Sequence, residues 1–194
     1  MRKLILAFLM LTVSFMIQAQ KKAKAGIRIG ANYSTLTNTY LDSKTGLYLG
    51  AFLNIQHSSF YALQPELTYS SQGANSRFFE DESVNINYIS IGLTNKFFVM
   101  NDERFHLLVG VSIDLNLDYS FISLANNGWD SDTFFLDLAF YGGLGYQFDF
   151  GLILEARYKQ GTIGVFTDEF FDDNNTRTNS LFQFGMAYKF NLKK

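Results

Sequence analysis

The chain has 194 residues, the size of one domain, and a formal net charge of -2. That balance leaves out the basic face a nucleic-acid partner requires. Cysteine is absent, which excludes a disulfide framework, a thiolate metal site, a thiol nucleophile and a lipoprotein anchor.

The N-terminus reads as a separate object. Arg2 and Lys3 precede an apolar run over residues 4–17, followed by Gln18, Ala19 and Gln20. Charged, apolar, then small is the order of a secretory signal peptide, and the run is short for a spanning helix, which needs about 20 residues. We expect residues 1–19 to be removed and residues 20–194 to form one domain. Any membrane crossing in that part is expected to use strands, because no other stretch is apolar for long enough to cross as a helix.

Beyond Lys21, Lys22 and Lys24, side chains alternate with period two. Ala25, Ile27, Ile29, Ala31 and Tyr33 share one face, and Gly26, Arg28, Gly30, Asn32 and Ser34 the other. A polar segment over 35–44 leads to a second strand with Leu47, Leu49, Ala51, Leu53 and Ile55 on the apolar face. After a short turn at His57 and Ser58, the third strand sets Tyr61, Leu63, Pro65, Leu67 and Tyr69 against Gln64, Glu66 and Thr68. Proline cannot donate to a ladder, so a bulge is expected at Pro65. A polar loop over 71–85 precedes the fourth strand, Ile89 to Val99 on one parity and Tyr88, Ser90, Gly92, Thr94 and Lys96 on the other.

The clearest strand follows a tight turn. Phe105, Leu107, Val109, Val111, Ile113, Leu115 and Leu117 alternate with residues that include His106, Gly110, Ser112 and Asp114. A loop over 118–132 carries Trp129. The sixth strand alternates Leu136, Leu138, Phe140 and Leu144 with Asp137, Tyr141, Gly143 and Gly145, and the seventh alternates Leu152, Leu154, Ala156 and Tyr158 with Glu155, Arg157 and Lys159. A loop over 161–179 leads to Phe182, Phe184, Met186, Tyr188 and Phe190, with Gln183, Gly185 and Lys189 on the other side.

The fold class expected is all-β, an eight-stranded antiparallel up-and-down transmembrane barrel. Three short turns would lie in the periplasm and four longer loops outside. Aromatics near strand ends would form interfacial girdles. A soluble barrel also alternates, but its water-facing side carries far more charge than the glycine-rich polar face here.

Four segments carry a family resemblance: GIRIGANYS at 26–34, LQPELTYSSQG at 63–73, NYISIGLTNKFF at 87–98 and HLLVGVSIDL at 106–115. With the aromatic last strand, the mature chain resembles the PorT-like outer-membrane β-barrel family of gram-negative bacteria. The resemblance implies an eight-stranded barrel in the outer membrane and, in some relatives, a part in secretion or gliding machinery. Gly92 stands where that pattern carries a proline, and residues 191–194 follow Phe190, where assembly signals commonly end on the aromatic itself.

Candidate chemistry lies in the lumen. Arg28, Lys96, Arg157, Lys159 and Lys189 face inward with Glu66, Asp114, Asp137 and Glu155. An eight-stranded interior is only just wide enough for side chains, so these charges are expected to pair and plug it; an ion or proton path is the alternative. No catalytic residue is assigned, because His57 and His106 both fall at the periplasmic end, away from the rim that lipid substrates reach. The loop acids Glu80, Asp81, Glu82, Asp130, Asp132, Asp168, Glu169, Asp172 and Asp173 could hold a hard cation, but no D-x-[DN]-x-[DN]-G loop occurs, and no metal or cofactor is assigned. Gly142, Gly143 and Gly145 lie in strand context and form no phosphate cradle. They are expected to bend the strand or to let an aromatic pack over the backbone.

Loop aromatics Trp129, Phe166, Phe170 and Phe171 are the candidates for partner binding, with a lid over the barrel mouth as the other reading. Expected partners are outer-membrane lipid and lipopolysaccharide, with a possible protein partner at the loops and no nucleic acid. Three functions are in view: a non-enzymatic barrel whose loops bind a partner or surface component, accessory to secretion or envelope integrity; a narrow channel for small ions or solutes; and a lipid-modifying enzyme. The mature protein is expected to begin at Gln20, which mass spectrometry of the purified membrane form will check; a retained residue 1–19 segment would refute the cleavage reading.

Overall fold

A strand leaves backbone donors and acceptors along both edges, and in hydrocarbon each unpaired group costs several kcal/mol. Closing the sheet on itself removes the edges. The computed structural model describes residues 23–76, 83–99, 104–117, 122–124, 129–131, 134–165 and 176–190. Its strands are β1 (Ala23–Leu36), β2 (Asp42–Gln56), β3 (Tyr61–Asn75), β4 (Ser83–Phe98), β5 (Phe105–Asn116), β6 (Ile122–Leu124), β7 (Trp129–Ser131), β8 (Leu136–Gln147), β9 (Leu152–Gly161) and β10 (Asn179–Lys189). Eight of them close in the order β1-β10-β9-β8-β5-β4-β3-β2, with β6 and β7 paired as a separate hairpin. The closing seam pairs β1 with β10 from Gly26↔Lys189 to Leu36↔Asn179.

Burial is inverted relative to a water-soluble barrel. Leu67, Val109 and Phe184 on the outer face are 54%, 55% and 57% exposed, whereas Lys96 and Asp114 are each 2% exposed. Hydrocarbon is the solvent that this outer surface matches. Two aromatic belts border it. On the side of the short turns, Phe60 and Tyr61 pack on Phe97 at 5.8 and 5.5 Å, Tyr146 on Phe148 at 5.0 Å and Tyr188 on Phe190 at 5.5 Å. On the loop side Tyr158 packs on Phe182 at 5.0 Å. The Tyr158 hydroxyl donates to Gln160 Oε1 and the Tyr69 hydroxyl to Asn87 Oδ1, each at 2.9 Å. These rings keep an apolar body in lipid and a polar tip at the interface.

Four expectations are corrected. The first outer connection spans only 37–41, because β1 and β2 stay paired to Ser34↔Lys44; Asn38 turns the chain there with φ 55°, a left-handed conformation that asparagine tolerates. The second outer loop is also shortened, since β3 and β4 pair up to Asn75↔Ser83. Pro65 makes no bulge. It sits in register opposite Leu93, while pairing to β2 passes from Phe52↔Glu66 to Ile55↔Leu63 without a shift. The skipped stretch on the β2 side absorbs the missing donor. Finally, the loop between β5 and β8 contains the β6–β7 hairpin, with Leu124 opposite Trp129. The expected signal peptide lies outside the described residues.

Two outcomes test this architecture. Folded, unboiled protein is expected to migrate apart from the boiled form on a gel, and a single unshifted band would rule out the barrel. Val111→Arg, which places a charge at mid-strand on the lipid face, is expected to cost about 2–4 kcal/mol in denaturant unfolding from bilayers.

Candidate functional site

Inward positions of β1, β3, β4 and β9 bring five charges together in mid-lumen. Glu66 accepts from Arg157 Nη1 at 2.7 Å through Oε1 and pairs with Arg28 Nη1 at 3.0 Å through Oε2. Glu155 takes Lys96 Nζ at 2.7 Å on Oε1 and Arg157 Nη2 at 2.9 Å on Oε2, with Arg28 Nη2 at 3.5 Å. Arg157 is thus a fork across two carboxylates, the geometry for which guanidinium is suited. His106 Nε2 lies 3.6 Å from Glu155 Oε1, and its ring packs 5.6 Å from Phe98. Its place near the short-turn end makes it part of this packing rather than of any site at the long-loop rim.

Neutral donors complete the network. Tyr141 donates to Glu66 Oε1 at 3.1 Å and exchanges a 2.8 Å bond with Thr94 Oγ1; Gln64 Nε2 donates to Glu66 Oε2 at 3.1 Å. Tyr141 lies across Gly110, where an added Cβ would come within 2.4 Å of the ring. Of the glycines singled out on β8, Gly145 lies under the His106 ring, whereas Gly143 meets the backbone of Ala156. The Arg157 guanidinium stands 5.3 Å from the Tyr141 ring centre, and that of Arg28 5.2 Å from Phe52.

A second pair lies beside the first cluster: Lys159 Nζ to Asp114 Oδ2 at 2.6 Å, with Lys159 also donating to Ser90 Oγ at 3.4 Å. Asp137, though opposite Asp114 in register, has another task. Its Oδ1 accepts the backbone N–H groups of Thr162 and Ile163 at 3.1 and 2.9 Å, which anchors the start of the β9–β10 connection. Lys189 is buried at the short-turn end, opposite Gly26. Of the loop candidates, Trp129 falls in β7 without a described side chain, and Phe166, Phe170 and Phe171 lie outside the described residues.

The lumen is layered. Phe52, Ile153 and Ala187 form an apolar floor below the charges. Above them, Gln183 donates to Asn32 Oδ1 at 2.9 Å, Asn32 to Ser70 Oγ at 2.9 Å, and Gln72 to Ser70 Oγ at 2.7 Å, with Asn179 bonded to Gln72. Higher still, Leu36, Ala74, Val84, Ile86, Tyr88 and Val165 make an apolar ceiling. Sequence reasoning missed that ceiling, although Leu36, Val84 and Ile86 continue the inward parity of their strands. A cavity of about 20 Å³ remains beside the charges, lined in part by Arg28, Tyr48, Ser112 and Lys159.

Removing one shared carboxylate leaves three buried cations facing a single carboxylate. Glu155→Gln and Glu66→Gln are each expected to destabilise the refolded barrel by about 3–5 kcal/mol. Asp137→Asn, which keeps an acceptor for the two amides, is expected to cost about 1 kcal/mol. Urea titration in detergent distinguishes the two classes, and equal costs would contradict this division of roles.

Comparison with known proteins agrees with this geometry. No curated protein matches the sequence. Among solved structures, Neisserial surface protein A aligns with a TM-score of 0.57 and 17% identity, over 87% of this chain and 99% of its own. Ail of Yersinia pestis, solved with the heparin analogue sucrose octasulfate, gives 0.53 and 17% over 87% and 99%. The N-terminal barrel domain of Pseudomonas aeruginosa OprF gives 0.51 and 12% over 85% and 97%. At these identities the likeness concerns the fold. The family match is of another kind, covering residues 18–193, and by it the chain belongs to the outer membrane protein beta-barrel domain family and resides in the outer membrane.

Proposed function

We propose that this protein is a non-enzymatic outer-membrane barrel whose extracellular connections bind a partner or surface component, as an accessory to secretion or envelope integrity. The observation that carries the reading is the filled lumen. Charges paired at 2.7–3.0 Å, an apolar floor and an apolar ceiling take up the interior that transport would need. Function then falls to the outside, to the connections that include the separate β6–β7 hairpin. The motifs at 26–34, 63–73, 87–98 and 106–115 favour the PorT-like branch of the family.

Charge narrows the partner. The outer connections carry Glu80, Asp81, Glu82, Asp130, Asp132, Asp168, Glu169, Asp172 and Asp173 against Arg77, Arg177 and, at the base of the first, Lys44. Ail was solved with a sulfated heparin analogue, yet acidic loops repel a polyanion. The partner that fits here is a cationic protein surface, with Trp129, Phe166, Phe170 and Phe171 as apolar anchors. Lipid and lipopolysaccharide surround the barrel wall, and residues 1–19 serve as the export signal.

Two measurements check the reading. Planar-bilayer recordings are expected to show no unitary conductance; steady openings would favour the channel. A photo-crosslinker in the β9–β10 connection is expected to capture one defined partner on cells. Phe170→Ser with Phe171→Ser is expected to lower that yield at least about threefold, as loss of two anchors implies, while the heat shift on gels is retained. Unchanged yield would leave those rings as a lid.

A further inference from the structure

The mid-lumen cluster sets three cations, Arg28, Lys96 and Arg157, against two carboxylates, Glu66 and Glu155. The adjacent Lys159 and Asp114 neutralise each other at 2.6 Å. Asp137 is engaged by the amides of Thr162 and Ile163, and Lys189 lies toward the short-turn end. Among the five groups of the cluster, cations therefore exceed carboxylates by one, and the Asp137 carboxylate lies beside Asp114, outside the cluster. The cluster is set between the apolar floor and ceiling. An uncompensated charge in such a place is strongly unfavourable.

The cavity of about 20 Å³ sits against this cluster and has room for a single occupant of roughly water's size. Its wall is rich in donors: Arg28, Arg157 and Lys159, with hydroxyls from Ser90, Ser112 and Tyr48. Glu66 is the one carboxylate in that wall, and its oxygens already accept from Arg157, Tyr141 and Gln64 and pair with Arg28. Ser112 is 3% exposed, yet its Oγ has no hydrogen-bond partner, and neither has Arg28 Nε. Free donors, an excess of positive charge and a space of one-ion size coincide.

We propose that this cavity binds one monovalent anion of halide size, with Ser112 and the cationic wall as its ligands, and that the anion balances the charge of the mid-lumen cluster locally. The site is independent of the outer loops and of whatever they bind. Water is the competing occupant, and it would leave the cluster balanced only if Lys96 were neutral.

The full-length barrel, refolded in detergent and crystallised from sodium bromide, is expected to show an anomalous bromide peak in the cavity. Urea midpoints, measured at fixed ionic strength while bromide replaces gluconate, are expected to rise with bromide. That dependence is expected to vanish in Lys96→Met, which removes the excess charge, and to weaken in Ser112→Ala, a small change that folds even if Lys96→Met does not. Midpoints equal in bromide and gluconate would overturn the proposal in favour of water and a neutral Lys96. A bromide peak without the midpoint dependence marks an adventitious ion only and overturns it as well, as does full dependence retained in Ser112→Ala.

Discussion

Everything in this molecule depends on the requirement that no backbone N–H or C=O be left unpaired in hydrocarbon. The closing seam between β1 and β10 meets it by turning a sheet with two edges into one with none. Once the sheet closes, the pleat forces alternate residues outward to lipid and inward to a narrow interior. The apolar wall and the buried charges follow from the same act of closure.

Burying so many charges is tolerable only because nearly all of them find a counter-charge or a dipole. The forked contacts of Arg157 on Glu66 and Glu155 show how this is met in a small space. Replacing such a network with apolar residues need not cost stability, so its presence reflects the narrow bore as much as any gain in energy. The charged layer lies between two apolar clusters, with Lys189 and Asn54 buried beyond the one on the short-turn side. Burial of these side chains strengthens each pairing and raises the cost of any imbalance among them.

Glycine and tyrosine act together in that packing. A flat ring needs a residue without a side chain beneath it, and Gly110 supplies this for Tyr141. The ring then carries its hydroxyl to Glu66, linking β8 to β3 across the lumen. Aromatic content that looks excessive for a protein of this size is split between this interior use and the two interfacial belts.

Local pattern determined much of this. Period two in residues such as Val109, Val111 and Ile113 assigns the lipid face from adjacent positions alone, because side-chain direction in a strand is a local property. Inward placement of Arg28, Glu66, Lys96, Asp114, Glu155 and Arg157 was legible for the same reason. What tertiary structure decided is which of them meet. Lys159 reaches Asp114 while Asp137 turns to the backbone of a loop, a choice set by strand stagger that no local spacing encodes. The ladder's skip at Pro65 likewise depends on a neighbouring strand. The β6–β7 hairpin was hinted at by the Asn127-Gly128 pair, but its three-residue strands are too short to show a period. Face is written in neighbouring residues, whereas partnership across a closed barrel is written in the geometry of closure.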